Sequence, residues 1–299
     1  MIILGQLAAL GTAFCWSLTA IFFSYSGRLV GSAVVNRSRL LFAFFLVALT
    51  HLIIQGSIMP LDAEPFRWGW LALSSILGLV LGDTFLFQAF VLVGPRLSTL
   101  MMASVPILST FMAWIFLGES VTAAQMAGIL LTVVGIAWVV TERRTDRVVV
   151  REKKYVRGLA FAFLGALGQA ANLIAAKYAL VDDFPAISAS LIRILVAMVI
   201  LWTVAAFQGQ VRFTINQWKN RDAFRAILGG TIAGPYIGIW LSLVAVQLAP
   251  VGLAATLMAL PPIILIPIER IFYGVKVSSR GLIGTAAAMV GVALIFIPF

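Results

Sequence analysis

The chain is poor in the residues on which soluble catalysis and metal binding depend. Its 299 residues include one cysteine, Cys15, and one histidine, His51. A lone cysteine excludes an internal disulfide and a cysteine-based metal site. A lone histidine excludes zinc chemistry built on paired histidines. Charge is scarce too: 11% of the residues are Asp, Glu, Lys or Arg, against about a quarter in a soluble domain. Such a surface could not be covered in water, so lipid is the expected solvent. No Gly-x-x-x-x-Gly-Lys-Ser/Thr run occurs, which removes the phosphate-cradling loop of ATP-driven pumps. Met1 to Ser24 holds no Lys or Arg. It therefore lacks the basic start of a cleavable secretory signal and reads as a first span.

What is present is apolar. Hydrophobic residues make up 62% of the chain and the mean hydropathy is +1.07. A helix needs roughly 20 apolar residues to cross the hydrocarbon core. Ten stretches qualify: about 4–26, 33–54, 68–92, 96–117, 122–141, 158–179, 186–207, 224–247, 251–272 and 279–298. The expected fold is an all-α integral membrane bundle of ten helices.

The pattern occurs twice. Gly11, Arg39, Pro95, Pro106, Gly128 and Gly135 recur as Gly165, Arg193, Pro250, Pro261, Gly284 and Gly291, at offsets of 154 to 156 residues. Residues 1–141 and 158–299 are thus two five-helix repeats joined by a linker, 142–157. An odd number of spans per half makes the second copy enter from the opposite side. Inverted repeats are a common construction of secondary transporters, with substrate sites at mid-membrane where the repeats meet.

Lys and Arg in short loops set orientation. The loops and helix ends on one face hold 18 of the 21 basic residues, among them Arg28, Arg37, Arg96, Arg212, Lys219, Arg221, Arg225 and Arg280. The linker, with Arg143, Arg144, Arg147, Arg151, Lys153, Lys154 and Arg157, belongs to that face. The opposite face keeps only Arg67, Lys177 and Arg193. Both termini are therefore expected outside and the linker in the cytoplasm of a bacterial-type inner membrane. The basic linker is expected to touch lipid headgroups and not nucleic acid.

The polar residues inside spans are the candidates for a substrate site. Asp83 is the one carboxylate placed deep in the membrane, with no cation nearby in sequence. An intramembrane charge is costly and usually functional; a protonated Asp bonded to a neighbouring helix is the structural alternative. Gln169 and Asn172 share one helical face that must point inward, either towards substrate or as glue between helices. Gln88 and Gln247 have the same two readings. Arg39, with Arg37 beside it, is expected to snorkel to headgroups. Arg193 is expected to pair with Asp182 or Asp183 or to attract a substrate carboxylate.

Prolines break helices and free a backbone carbonyl. Pro235 in span eight, Pro106 in span four, and Pro261 and Pro262 in span nine mark candidate breaks or gates at matching depths. Trp16, Tyr236 and Trp240 lie within spans, away from the interfacial belt of Trp68, Trp70 and Trp218. They line a cavity or pack as ordinary core. Two places where the repeats disagree, Asp83 against Gly238 and Trp16 against Ala170, are expected near the substrate.

Further landmarks are the run Ser98 to Pro106, Leu117-Gly118-Glu119, the glycines from Gly128 to Gly135, and the second copy Ala254 to Pro262. In these, and in Trp16 and the paired Arg39 and Arg193, the chain resembles the EamA-type drug/metabolite transporters. The second copy departs where Gly274 or Val275 replaces Glu119. The resemblance implies an exporter of small metabolites, in particular the YddG-like aromatic amino-acid exporters; function as a monomer, without a cofactor, is the further expectation. Uniport and proton antiport through Asp83 are both open, as is export of drugs or organic cations. A channel or receptor-like scaffold is another class. A membrane enzyme on lipid-linked substrates would need convergent catalytic groups, which the sequence does not offer.

Overall fold

The computed structural model describes residues 2–117, 123–140, 152–180, 184–248, 257–273 and 278–296. Residues 142–151 of the linker, Glu119, Asp182, Asp183, Pro250 and Ala254 to Thr256 lie outside these, as do the side chains of Lys177, Gln247 and Pro267.

The described residues are helical, with no strand among them. Helix α1 spans Ile2–Val30 and α2 spans Ser32–Gln55. The third span consists of α3 (Pro65–Ser75), a π-helical turn (Ile76–Gly82) and α4 (Asp83–Val93). The fourth is divided into α5 (Pro95–Met102) and α6 (Val105–Leu117), and α7 covers Ala123–Val140. The second half holds α8 (Glu152–Ala179), α9 (Ala186–Phe207) and a short α10 (Val211–Gln217). It continues with α11 (Arg221–Thr231), a second π turn (Ile232–Gly238) and α12 (Ile239–Leu248). Helices α13 (Pro261–Tyr273) and α14 (Ser279–Phe296) complete it.

Local chemistry explains the boundaries. Gly94 has φ 84, a conformation that strains any side chain, and Pro95 opens α5 with a preset helical φ. Asn220 caps α11 by accepting from the Ala223 amide at 3.1 Å. Among the described residues, six helical segments are long and apolar enough to cross a membrane: Ile3–Val30, Ser32–Gln55, Pro65–Val93, Lys153–Ala176, Ala186–Phe207 and Arg221–Ala245. Short α10 was not expected from the sequence.

The helices of the two halves exchange partners. In the first half's direction, α1 packs on α11, the second π turn and α12; in the other, α8 packs on α3, the first π turn and α4. Helix α2 packs on α9, and α7 on α14. The α7–α14 contact is a backbone-to-backbone approach: a Cβ added at Gly291 would lie 2.3 Å from Thr132 Oγ1 and 2.7 Å from the Gly128 oxygen. Small residues permit such proximity in lipid, where packing rather than water expulsion holds helices together.

Candidate functional site

The two π turns stand at the same place in the two halves, 76–82 and 232–238. Each closes with an i→i+5 bond, from the Asp83 amide to the Gly78 oxygen and from the Ile239 amide to the Gly234 oxygen. This register pairs Asp83 with Ile239, not with Gly238 as the sequence offset suggested. A π turn shifts side chains around the helix and loosens the ladder of bonds, and it is frequent at functional sites.

The first turn is surrounded by polar groups. Asp83 is 7% exposed, and Oδ2 takes a salt bridge from Arg39 Nη2. Its Oδ1 accepts from Gln169 Nε2 at 2.9 Å. Gln169 Oε1 accepts from Asn172 Nδ2 at 3.1 Å, and Asn172 Oδ1 accepts from Arg193 Nη2 at 2.8 Å and from Ser74 Oγ at 2.5 Å. Ser75 Oγ donates to the Arg193 main-chain oxygen at 2.5 Å. Gln169 and Asn172 fit because the turn carries no side chain where they approach. A Cβ at Gly78 would meet Asn172 Cγ at 2.8 Å.

Arg39 does not snorkel. It is 3% exposed and directed into the protein, about two turns inside α2. Its Nε donates to Asn36 Oδ1 at 2.9 Å, and Asn36 Nδ2 donates to Thr84 Oγ1 at 3.0 Å. The guanidinium also sits 4.7 Å from the Phe87 ring centroid and 5.9 Å from that of Phe23. A carboxylate, an amide and two ring faces replace headgroups, so burial wins over snorkelling. Asp83 correspondingly has a close cation that sequence separation concealed. Asn36, Ser74, Ser75 and Thr84 were missed as site residues; their only signal was polarity within apolar spans.

The second turn carries no charged residue and is mostly apolar. A Cβ at Gly238 would meet the Trp16 ring at 3.1 Å, and one at Gly234 would meet Thr19 Oγ1 at 2.6 Å. Trp16 and Thr19 therefore do on α1 what Gln169 and Asn172 do on α8. The counterpart of Trp16 is Gln169 and not Ala170. Tyr236, inside this turn, shares a 2.8 Å hydrogen bond with Thr50. Trp240 and Tyr236 pack against a core cluster that includes Leu79, Val80, Leu191 and Ile194, the residues flanking the polar site.

The structure thus joins Asp83, Gln169, Asn172 and Arg193 in one network and puts Trp16, Tyr236 and Trp240 around the other turn. The prolines fall at irregularities. Pro235 is inside the second π turn, Pro106 follows the 103–104 turn that divides α5 from α6, and Pro261 and Pro262 open α13. Gln88 accepts from Ser32 Oγ at 2.5 Å and so ties α4 to α2. His51 is held by the Ser57 oxygen at 2.6 Å and by Ser188 Oγ at 2.9 Å, away from this network. Among the described residues no group of three or more His, Cys, Asp or Glu is arranged to hold a metal ion.

Comparison with known proteins agrees with this architecture. The chain matches the EamA-like transporter family over residues 3–141 and again over 156–297, and it belongs to that family. It is a multi-pass membrane protein of a transporter family. No curated protein matches it. A solved structure described as "Crystal structure of protein" superposes with a TM-score of 0.69 over 98% of this chain and 96% of that one, at 18% identity. At that identity the likeness speaks for the fold alone.

Proposed function

We propose that this EamA-family chain is a secondary carrier that exports small amphipathic metabolites, amino acids with aromatic side chains in particular, by alternating access. The observation that carries this reading is a buried polar network at one of two matching π turns, each midway along its helical segment. A π turn inside a spanning helix is frequent at functional sites, and carriers with repeated halves bind substrate where the repeats meet. The network offers a polar pole, and Trp16, Tyr236 and Trp240 offer an apolar one. The prolines at 106, 235, 261 and 262 would let the halves move at those breaks.

Asp83 is engaged through both oxygens, by Arg39 and Gln169. Protonating it would require breaking an ion pair, which favours facilitated diffusion over proton antiport. The aromatic rings alone would suit an organic cation, but two guanidinium groups beside a single carboxylate oppose one. The charge bias of the loops supports an inner-membrane protein with both termini outside.

The test is counterflow in proteoliposomes with a panel of amino acids and organic cations. Saturable, trans-stimulated flux of aromatic amino acids is expected. Linear flux without counterflow would point instead to a channel. Asp83→Asn with unchanged transport and unchanged pH dependence would exclude Asp83 as a coupling group.

A further inference from the structure

Two donors near the network are left without acceptors. Arg193 Nε and Ser190 Oγ are both buried and have no hydrogen-bond partner. Arg193 is 8% exposed and Ser190 1%. The two stand three residues apart on α9, on neighbouring positions of one helical face. Unmade hydrogen bonds are expensive in lipid, where water does not replace them. Two together on one face, beside a network in which nearly every other group is satisfied, mark a place for an acceptor.

Charge points to the same acceptor. Arg39 and Arg193 supply two cations, and Asp83 is the only carboxylate in contact with the network among the described residues. Arg39 takes Asp83 directly, while Arg193 is hydrogen-bonded to it only through Asn172 and Gln169, though near enough to feel its charge. One positive charge is therefore left over inside the membrane, and an anionic ligand would cancel it. A planar carboxylate suits a guanidinium edge and an adjacent hydroxyl, each donating to one oxygen. Trp240 packs against both apolar clusters that contain Leu191, Ile192 and Ile194, so an apolar wall adjoins this edge of α9.

We infer that Arg193 Nε and Ser190 Oγ bind the carboxylate of the transported molecule, and that its amino group is not read. This rests on the carrier reading above. It adds that the substrate class is that of apolar monocarboxylates, aminated or not. Asp83, the one group suited to an ammonium, already has both oxygens occupied. An amine without a carboxylate would bring a second uncompensated charge to the site.

The experiment compares three ligands that share a phenyl body: phenylalanine, 3-phenylpropionate and phenethylamine. Each is titrated against the full chain in detergent, reading the shift in thermal unfolding. 3-Phenylpropionate, a net anion, is expected to stabilise most, phenylalanine less because its ammonium finds no partner, and phenethylamine to give no shift. Arg193→Gln should weaken carboxylate binding by about tenfold or more, with Arg193→Lys intermediate and Ser190→Ala weaker by a smaller factor. The ligand comparison on the unaltered chain keeps the test valid if Arg193→Gln does not fold. Equal stabilisation by phenethylamine, or no carboxylate-dependent shift at all, overturns the inference. Counterflow of substrates without carboxylate dependence would overturn it and leave the carrier standing. Carboxylate binding without any counterflow would do the reverse.

Discussion

The two π turns share a backbone and differ in chemistry. Around 76–82 the facing helix brings Gln169 and Asn172, and the turn ends at Asp83. Around 232–238 the facing helix brings Trp16 and Thr19, and the turn ends at Ile239. A duplicated frame thus keeps its mechanical irregularity twice but its charge once. The repeated part concerns how the halves pack and move. The unrepeated part concerns what is bound, with a polar pole on one side and an aromatic one on the other.

The comparison can be broken most severely at the ion pair. Arg39→Gln leaves Asp83 buried without its ion-pair partner and is expected to cost about 3–5 kcal/mol of stability, read as a lowered melting temperature in detergent. The double change Arg39→Met with Asp83→Leu should recover most of that loss. A double variant as unstable as the single one would show that the charges themselves are not what matters.

Installing charge at the apolar turn is next. Ile239→Asp puts a carboxylate among the apolar side chains that pack on Ile239, and should cost about 2.5–3.5 kcal/mol. A fully stable Ile239→Asp protein would mean that the two turns are interchangeable.

Smaller and more discriminating is the glycine pair. A methyl at Gly78 strikes Asn172, and one at Gly234 strikes Thr19. Both substitutions to Ala should cost about 1–3 kcal/mol by overpacking. Only Gly78→Ala should also slow counterflow, because Asn172 holds Arg193. The least effect is expected from Thr19→Ala, on the order of 0.6 kcal/mol, since the bond from Thr19 to the Gly230 oxygen is long at 3.4 Å.

Much of this frame is legible in the chain itself. Apolar length locates the spans, the doubled landmarks locate the repeats, and the Gly94-Pro95 turn ends α4 where expected. Asp83, Gln169, Asn172 and Arg193 stand out because polarity in lipid must be compensated. Their assembly does not stand out. Arg39 and Asp83 are 44 residues apart, and nothing in either segment names the other. The basic neighbour Arg37 suggested headgroups for Arg39, but Phe23 and Phe87 from other helices make a buried seat for it. The π turns also escape sequence reasoning, since no side-chain pattern encodes an i→i+5 bond. Their trace was the glycine spacing Gly78, Gly82 and Gly234, Gly238. Without them the register slips by one residue, and the sequence offset alone sets Gly238 against Asp83 and Ala170 against Trp16.

The central claim, that the polar turn binds substrate while its apolar twin does not supply the polar contacts, is tested most directly by kinetics on a matched pair. Counterflow of labelled phenylalanine should be measured in proteoliposomes for Asn172→Leu and Thr19→Val, each checked to be monodisperse. The account predicts a KM raised about tenfold or more in Asn172→Leu and a wild-type KM in Thr19→Val. Equal effects in both variants, or an unchanged KM in Asn172→Leu, would contradict it.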